Sequence, residues 1–482
     1  MFTKRNLTLL TDLYELTMMN GYLREGKSDT TVIFDVFFRQ NELITYSVAA
    51  GLQQAVDYIL NLKFDDDDIG YLASLKIFDK KFLDYLKGMR FTGDVYSVPE
   101  GTVVFPGEPI LTVKAPVMEA QFIETAVLNM INHQTLIASK AAKVCYAANG
   151  DNVMEFGLRR AQGPDAGIYG ARAAIIGGCN STSNVLAGQM FDIPVSGTHA
   201  HSWVMSFPSE YEAFKAYADM YPDAALLLVD TYDTLRSGIP NAIKVFKELR
   251  AAGKKPLGIR LDSGDLAYLT KKARKMLDEA GFEDTIICAS GDLDEKLIQS
   301  LKLQGAKINS WGVGTKLITS SEMPALGGVY KLAGVVEKDG TITPKIKVSD
   351  NSAKITNPGF KKIVRIYDGK SGKAEADLIM LKDEVIDESK PLTIVHPTET
   401  WKKITFTDYT LRELTIPVIL NGKLVYETPS LKDIVKYAKE EKATFWDEYL
   451  RIDSPHIYKV DLSDKLLALK NGMLEKIRKE NA

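Results

Sequence analysis

Seven short apolar runs, ending near Glu155, Cys179, Val195, Val229, Ile259, Ala289 and Ile308, are each followed by a polar or glycine-containing turn and then, usually, a helix-like stretch. A run such as Ala225-Leu226-Leu227-Leu228-Val229 or Pro256-Leu257-Gly258-Ile259 has no polar face, so as a strand it must be covered on both sides. The intervening stretches 241–252 and 266–280 are helical by composition. Repeated strand–turn–helix units predict a parallel sheet, and seven in succession favour a closed α/β barrel over an open sheet.

The flanks have another texture. Apolar residues recur at helical spacing from Leu7 to Leu23, a strand follows over 30–38, and 94–114 holds short apolar runs broken by Pro99, Gly101, Pro106, Gly107 and Pro109. A long helical pattern covers 118–149. Beyond Leu326 the chain returns to strands: Val329–Val336 and Thr341–Val348 flank an Asp339-Gly340 hairpin signal, with further strands near 363–367 and 416–420 and helices at 431–440 and 466–479. At 482 residues the chain is too long for one core. The expected division is an α+β domain over 1–130, the barrel over 131–327 and a β-rich segment with terminal helices over 328–482.

A formal net charge of −3 argues against a nucleic-acid partner, which needs a basic surface. No apolar run approaches the roughly 20 residues of a spanning helix, and the start, from Met1 to Asp12, lacks a signal-peptide pattern. A cytoplasmic protein is expected. Cys145, Cys179 and Cys288 include no C-x-x-C pair and read as small reduced hydrophobes. Asp65-Asp66-Asp67-Asp68 reads as the solvated start of a helix.

In barrel-like folds the active site is built from loops at the carboxyl ends of the strands. There the sequence holds 155–160 (Glu-Phe-Gly-Leu-Arg-Arg), 177–184, 196–202, 230–233, 260–265, 290–292 and 312–315. One Ser-Gly-Asp after a strand is only what a helix cap needs. Seven such turns with related chemistry say more. Arg159 and Arg260 suit an anionic substrate. Asp230 and Asp262 are suited to hold Mg²⁺ through water or to bind ribose hydroxyls. The turns Ser290-Gly291 and Gly312-Val313-Gly314-Thr315 are able to set backbone N–H groups against a phosphate, in the late position where barrels carry that site. The composite points to a phosphorylated, Mg²⁺-bound sugar substrate. Gly369-Lys370-Ser371 lacks the glycine of a Walker loop, so ATP is not bound in that way.

Thr11-Asp12-Leu13-Tyr14-Glu15-Leu16-Thr17-Met18, the turn 155–160, Gly197-Thr198-His199-Ala200-His201 and the stretch 258–265 together resemble nicotinate phosphoribosyltransferase. The resemblance implies an irregular TIM-like α/β barrel, with an additional β-rich α+β domain formed by the N- and C-terminal segments. It implies a homodimer with active sites shared between subunits. It also implies joining of nicotinate to phosphoribosyl pyrophosphate (PRPP), with release of pyrophosphate, aided by ATP as co-substrate. Tyr14 and Phe156 match the pair that clamps the pyridine ring, and His201 matches a histidine phosphorylated by ATP. Thr198, Arg260, Asp262 and Asp230 fall in the matching catalytic and substrate-binding turns. His199 competes with His201 on sequence alone, although the spacing after Gly197-Thr198 favours His201. Asn180, uncharged where the nicotinamide-using relatives carry an aspartate, is expected beside the substrate carboxylate with Arg159. Nicotinamide or quinolinate phosphoribosyltransferases and a catalytically inactive scaffold are the alternatives.

Overall fold

Six parallel strands carry the polar turns. The computed structural model describes residues 5–480 apart from 41–42, 352–353, 397–398 and 400. Met1–Lys4, at the head of the stretch read for a signal peptide, lie outside the described residues. The strands lie in the order Ser181–Thr182, Asn152–Glu155, Ser310–Val313, Ile286–Ala289, Gly258–Leu261, Leu226–Leu228. Every pairing is parallel. From Leu226 the order follows the chain to Ser310, then returns to Asn152 and Ser181. Beyond Thr182 a single parallel bridge adds Val195. These strands belong to one compact unit, Ile137–Pro324 with Arg451–Asp453.

Three of the seven runs are corrected; the one near Ile308 precedes its strand, Ser310–Val313. The apolar residues before Cys179 end the helix Pro164–Gly177, and the strand is the polar pair Ser181–Thr182 that follows. Buried on nearly all sides, that helix shows no polar stripe, and its short apolar run reads like a buried strand. The run near Val195 is reduced to its bridge. The helices Ile239–Ala251 and Leu266–Glu279 stand where composition placed them. Asp265 caps the second by accepting from the Tyr268 N–H at 3.0 Å.

The other unit comprises Met1–Leu136, Ala325–Leu450 and Ser454–Ala482. Its seven-stranded sheet has the order Ile342–Pro344, Gly328–Val336, Thr31–Phe38, Leu111–Pro116, Asp94–Ser97, Ile416–Leu420, Lys423–Leu424. All its pairings are antiparallel. Thr31–Phe38 is flanked by one strand from before the parallel unit and one from after it, so its backbone groups are satisfied only when both segments are present. A second sheet, Tyr409–Glu413, Lys361–Asp368, Ala374–Leu381, Lys459–Leu462, buries Arg365 at its centre. Asp65 and Asp68 form a capping box on the helix Asp66–Ser74, as the acidic run suggested.

Helical spacing from Leu7 overstated the first helix, which begins at Leu13. Before it, the Thr8 hydroxyl donates to the Lys63 carbonyl and accepts from the Lys63 N–H, each at 3.0 Å. Similarly, the pattern over 118–149 divides at Ile123 into Val117–Phe122 and Glu124–Ala148. At that break the Thr125 N–H donates to the fully buried Glu15 carboxyl at 2.9 Å, and the Thr125 hydroxyl donates to it at 2.8 Å. Burial pushes the Glu15 carboxyl up to about 7, against the opposing pull of Thr125. Because its folded value exceeds the unfolded one, its contribution is complete below about pH 4.5 and is lost as pH rises to about 7. Glu15→Gln is therefore expected to flatten the fall in melting temperature between pH 5 and pH 8, by about 2 kcal/mol of stability at the upper end. Parallel wild-type and variant melting curves would refute this.

Candidate active site

The register of the parallel sheet brings the carboxyl ends of its strands to one edge. Glu155 pairs with Val313, Ala289 with Trp311 and with Leu261, and Leu228 with Arg260. Phe156, Gly314, Ser290, Asp262 and Asp230 follow these residues closely. Alternation along the strand would turn Arg260 and Asp262 to the same face, and the side chains meet.

Arg260 organises the edge. Its Nε donates to Ser290 Oγ at 2.8 Å, Nη1 to Thr198 Oγ1 at 2.8 Å and Nη2 to Asp262 Oδ1 at 3.0 Å. Its guanidinium carbon lies 5.7 Å from the centre of the Phe156 ring. The Ser290 hydroxyl also donates to Asp262 Oδ1, at 2.5 Å. Burial opposes ionisation of Asp262, but Ser290, Arg260 and His201 outweigh it and hold the carboxyl below its ordinary range. The second Asp262 oxygen is 4.0 Å from His201 Nε2, while His201 Nδ1 is 3.1 Å from the Thr231 hydroxyl.

Asp230 ties neighbouring turns together. One of its oxygens accepts from the Asp262 N–H at 2.8 Å and from the Ser263 hydroxyl at 2.7 Å. The other is buried without a hydrogen-bond partner, a position suited to a water-held cation or a ribose hydroxyl.

Two glycines are required by space. Gly291 has φ +94°, and a Cβ there would lie 2.2 Å from the Asp262 carbonyl oxygen. At Gly312 a Cβ would come within 2.7 Å of the Phe156 ring, so only glycine lets the ring lie against this strand. Asp294 and Lys316, their side chains 2.5 Å apart, join the segment after Gly291 to that after Gly314. Thr315 opens the short helix Thr315–Ile318.

Arg159 is exposed on the 3-10 turn Leu158–Arg160, beyond Phe156. Tyr14 lies in the other compact unit, 44% exposed on the helix Leu13–Arg24. Asn180 does not stand where its motif suggested. It precedes its strand, its Oδ1 accepts from the Val153 N–H at 2.9 Å and its N–H donates to the Val153 carbonyl at 2.8 Å. That is three residues before Phe156, about 10 Å away along the strand, at the amino end of the sheet. The strand it precedes is polar and short, and Ser183 is the residue that follows it. Asn180→Asp is thus expected to leave the ratio of kcat/KM for nicotinate and nicotinamide within about twofold of wild type, since the residue is remote from the Arg260 edge. A tenfold change in that ratio would restore the original placement.

Two residues escaped the sequence reading, and a third, His199, takes a place other than the one it competed for. Thr231 and Ser263 stand directly beside Asp230 and Asp262 in the quoted turns, so adjacency was their available signal. His199 is 7% exposed, and its Nε2 accepts from the Leu228 N–H at 3.2 Å. Burial pushes its imidazole down to about 4, reinforced by Arg260 and His201 and opposed by Ala200.

A guanidinium fork, two carboxylates and two glycine turns gathered on one edge of a parallel sheet define an α/β enzyme for a small phosphorylated, anionic substrate. Comparison with known proteins narrows the class. Residues 9–132 match the nicotinate phosphoribosyltransferase N-terminal domain, 152–368 the nicotinate phosphoribosyltransferase family and 360–470 its C-terminal domain. The nicotinate phosphoribosyltransferase of Bacillus subtilis (strain 168) is 48% identical over 480 residues, covering 99% of this chain and 97% of that protein. The human nicotinate phosphoribosyltransferase is 32% identical, with 96% of each covered. The crystal structure of human nicotinic acid phosphoribosyltransferase superposes with a TM-score of 0.84 at 31% identity, covering 96% of this chain and 100% of that one. The chain belongs to the nicotinate phosphoribosyltransferase family and is an enzyme of NAD biosynthesis.

Proposed function

We propose that the chain forms nicotinate mononucleotide and pyrophosphate from nicotinate and PRPP, with ATP hydrolysed as co-substrate through a phosphohistidine at His201. The observation that carries this reading is the Arg260 fork, which gathers Thr198, Asp262 and Ser290 beside His201. In the transfer the pyridine nitrogen forms a bond to the anomeric ribose carbon, and the carbon–oxygen bond to pyrophosphate breaks. Arg260 and the N–H groups of the two glycine turns favour the negative charge that collects on the departing oxygens. Phe156, against the guanidinium, offers a face for the pyridine ring.

His201 accepts a phosphoryl group from ATP and passes it to water. Asp262, held ionised, stabilises the positive imidazole formed on the way. Mg²⁺ would be held by Asp230, through its unpartnered oxygen, and Asp262, with water and substrate oxygens completing its shell. When bound it would neutralise phosphate charge.

The reading includes a homodimer with shared active sites, for which the exposed Leu13, Tyr14 and Met18 on one helix offer a surface. It includes closure of the parallel strands into an irregular barrel, supported by their cyclic order and by Val195 beyond Thr182. It places the enzyme in the cytoplasm; no helix among the described residues is long and apolar enough to cross a membrane.

Incubation with Mg²⁺, PRPP and nicotinate, nicotinamide or quinolinate, with and without ATP, tests the whole. Nicotinate mononucleotide is the expected product, and its absence under every condition would overturn the reading. His201→Ala is expected to abolish ATP hydrolysis and its stimulation of the transfer. Continued phosphorylation of that variant would move the role to another residue.

A further inference from the structure

The outermost strand of the parallel sheet, Leu226–Leu228, pairs on one side only. The Val229 N–H donates to Arg260 and so faces the paired side. Backbone direction alternates along a strand, so the Leu228 N–H points the other way, where a strand carbonyl is lacking. The imidazole of His199 takes it at 3.2 Å.

At the opposite margin of the sheet, Thr182 donates to the Pro194 carbonyl and accepts from the Ser196 N–H, which holds the segment leading into Gly197. Residues 194–199 therefore run from one margin to the other. The ring is confined there. The Tyr217 ring meets it edge-on at 4.8 Å, and the Phe214 ring lies at 6.0 Å. An accepting Nε2 leaves the proton on Nδ1, which faces the Ala200 carbonyl at 3.5 Å. Both ring nitrogens are thus committed, and burial keeps the ring neutral.

The residues on either side of His199 are those the chemistry uses. Thr198 accepts from Arg260, and His201 reaches Thr231, three residues beyond Leu228. We propose that His199 is a positioning residue whose imidazole stands in for a strand carbonyl on Leu228, setting Thr198 and His201 against the strand that carries Asp230 and Thr231. The inference rests on the reading of His201 as the phosphoryl acceptor. It also gives the two histidines of Gly197–His201 separate tasks, one holding the backbone and one meeting phosphate.

The test compares His199→Gln, which keeps an acceptor near the place of Nε2, with His199→Phe, which keeps a ring and loses it. In the full-length enzyme with Mg²⁺, ATP, PRPP and nicotinate, His199→Phe is expected to lower kcat for ATP-coupled turnover about tenfold or more, with KM for nicotinate within about threefold. His199→Gln is expected to recover kcat to within about threefold of wild type. Hydrogen exchange of the peptide spanning 225–230, read by mass spectrometry, is expected to quicken in His199→Phe and not in His199→Gln. Equal kcat in the two variants, or wild-type exchange in His199→Phe, would overturn the proposal. Should His199→Phe fail to fold, His199→Asn, too short to reach Leu228, takes its place with the same expected loss and the same refuting results. A His201→Ala control that still hydrolyses ATP would refute the phosphohistidine reading alone, because exchange at Leu228 reports on His199 independently.

Discussion

Arg260→Lys is expected to lower kcat/KM for nucleotide formation by about two to three orders of magnitude, with a shift of only a few degrees in melting temperature. The guanidinium makes three directed hydrogen bonds, to Thr198, Asp262 and Ser290, from three different nitrogens. An ammonium group has one nitrogen and cannot span all three acceptors. Losing two bonds to a charged group, each near the lower end of the range of about 1.5–3 kcal/mol, removes roughly 3–4 kcal/mol of positioning, and each 1.36 kcal/mol is a factor of ten in rate. The larger loss belongs in kcat if the fork serves the transition state, and in KM if it binds both states equally. Steady-state kinetics with varied PRPP separates these. A fall of less than tenfold would show that the fork is replaceable by charge alone.

Arg365→Leu carries the largest expected effect on stability. Arg365 and Asp377 are fully buried and Glu441 nearly so. Arg365 Nε donates to Asp377 at 2.7 Å, Nη1 to Glu441, and Nη2 to Asp377 and to the Val103 carbonyl at 2.7 Å. Tyr458 donates to Asp377 at 3.0 Å. Glu108, also fully buried, is pushed well above the ordinary carboxylate range, by burial first and by Asp377 second. Removing the cation leaves Asp377 to the Tyr458 hydroxyl and Glu441 to Arg412, at a cost of about 3–5 kcal/mol. That is a large share of the stability of an ordinary domain, so a sharp fall in soluble yield is expected. Urea denaturation measures it directly. A loss under about 1 kcal/mol would mean that the acids take up protons or water at little cost. The same argument gives Asp377→Asn a smaller penalty, since Glu441 still faces the arginine.

Neither of these residues was equally legible in advance. Arg260 opens a stretch of unusual residues after an apolar run, so composition and order marked it, although the structure sets it within the strand Gly258–Leu261. Arg365 sits within a strand, and nothing local distinguishes it from an arginine on a solvated face; its partners lie 12 and 76 residues away. The same contrast applies to elements. Leu226–Leu228 and the helices Ile239–Ala251 and Leu266–Glu279 were readable because a covered parallel strand must be apolar throughout and an exposed helix must carry a stripe. Ser181–Thr182 was not, because a two-residue polar strand has no pattern of its own. The misplacement of Asn180 follows from that, since the turn was assigned to the wrong end of a strand.

By itself the sequence determined the parallel α/β unit, the polar residues at its turns and the family chemistry they carry. These are local properties: apolar runs, glycine turns and charged side chains act over a few residues. What the tertiary structure decided is which of those residues meet. Arg260 joins Thr198 and Ser290, His199 turns inward to Leu228 while His201 stays at the edge, and Asn180 falls at the wrong end of the sheet. Such pairings depend on strand register, where a shift of one residue reverses every side chain, and register is set by contacts far apart along the chain.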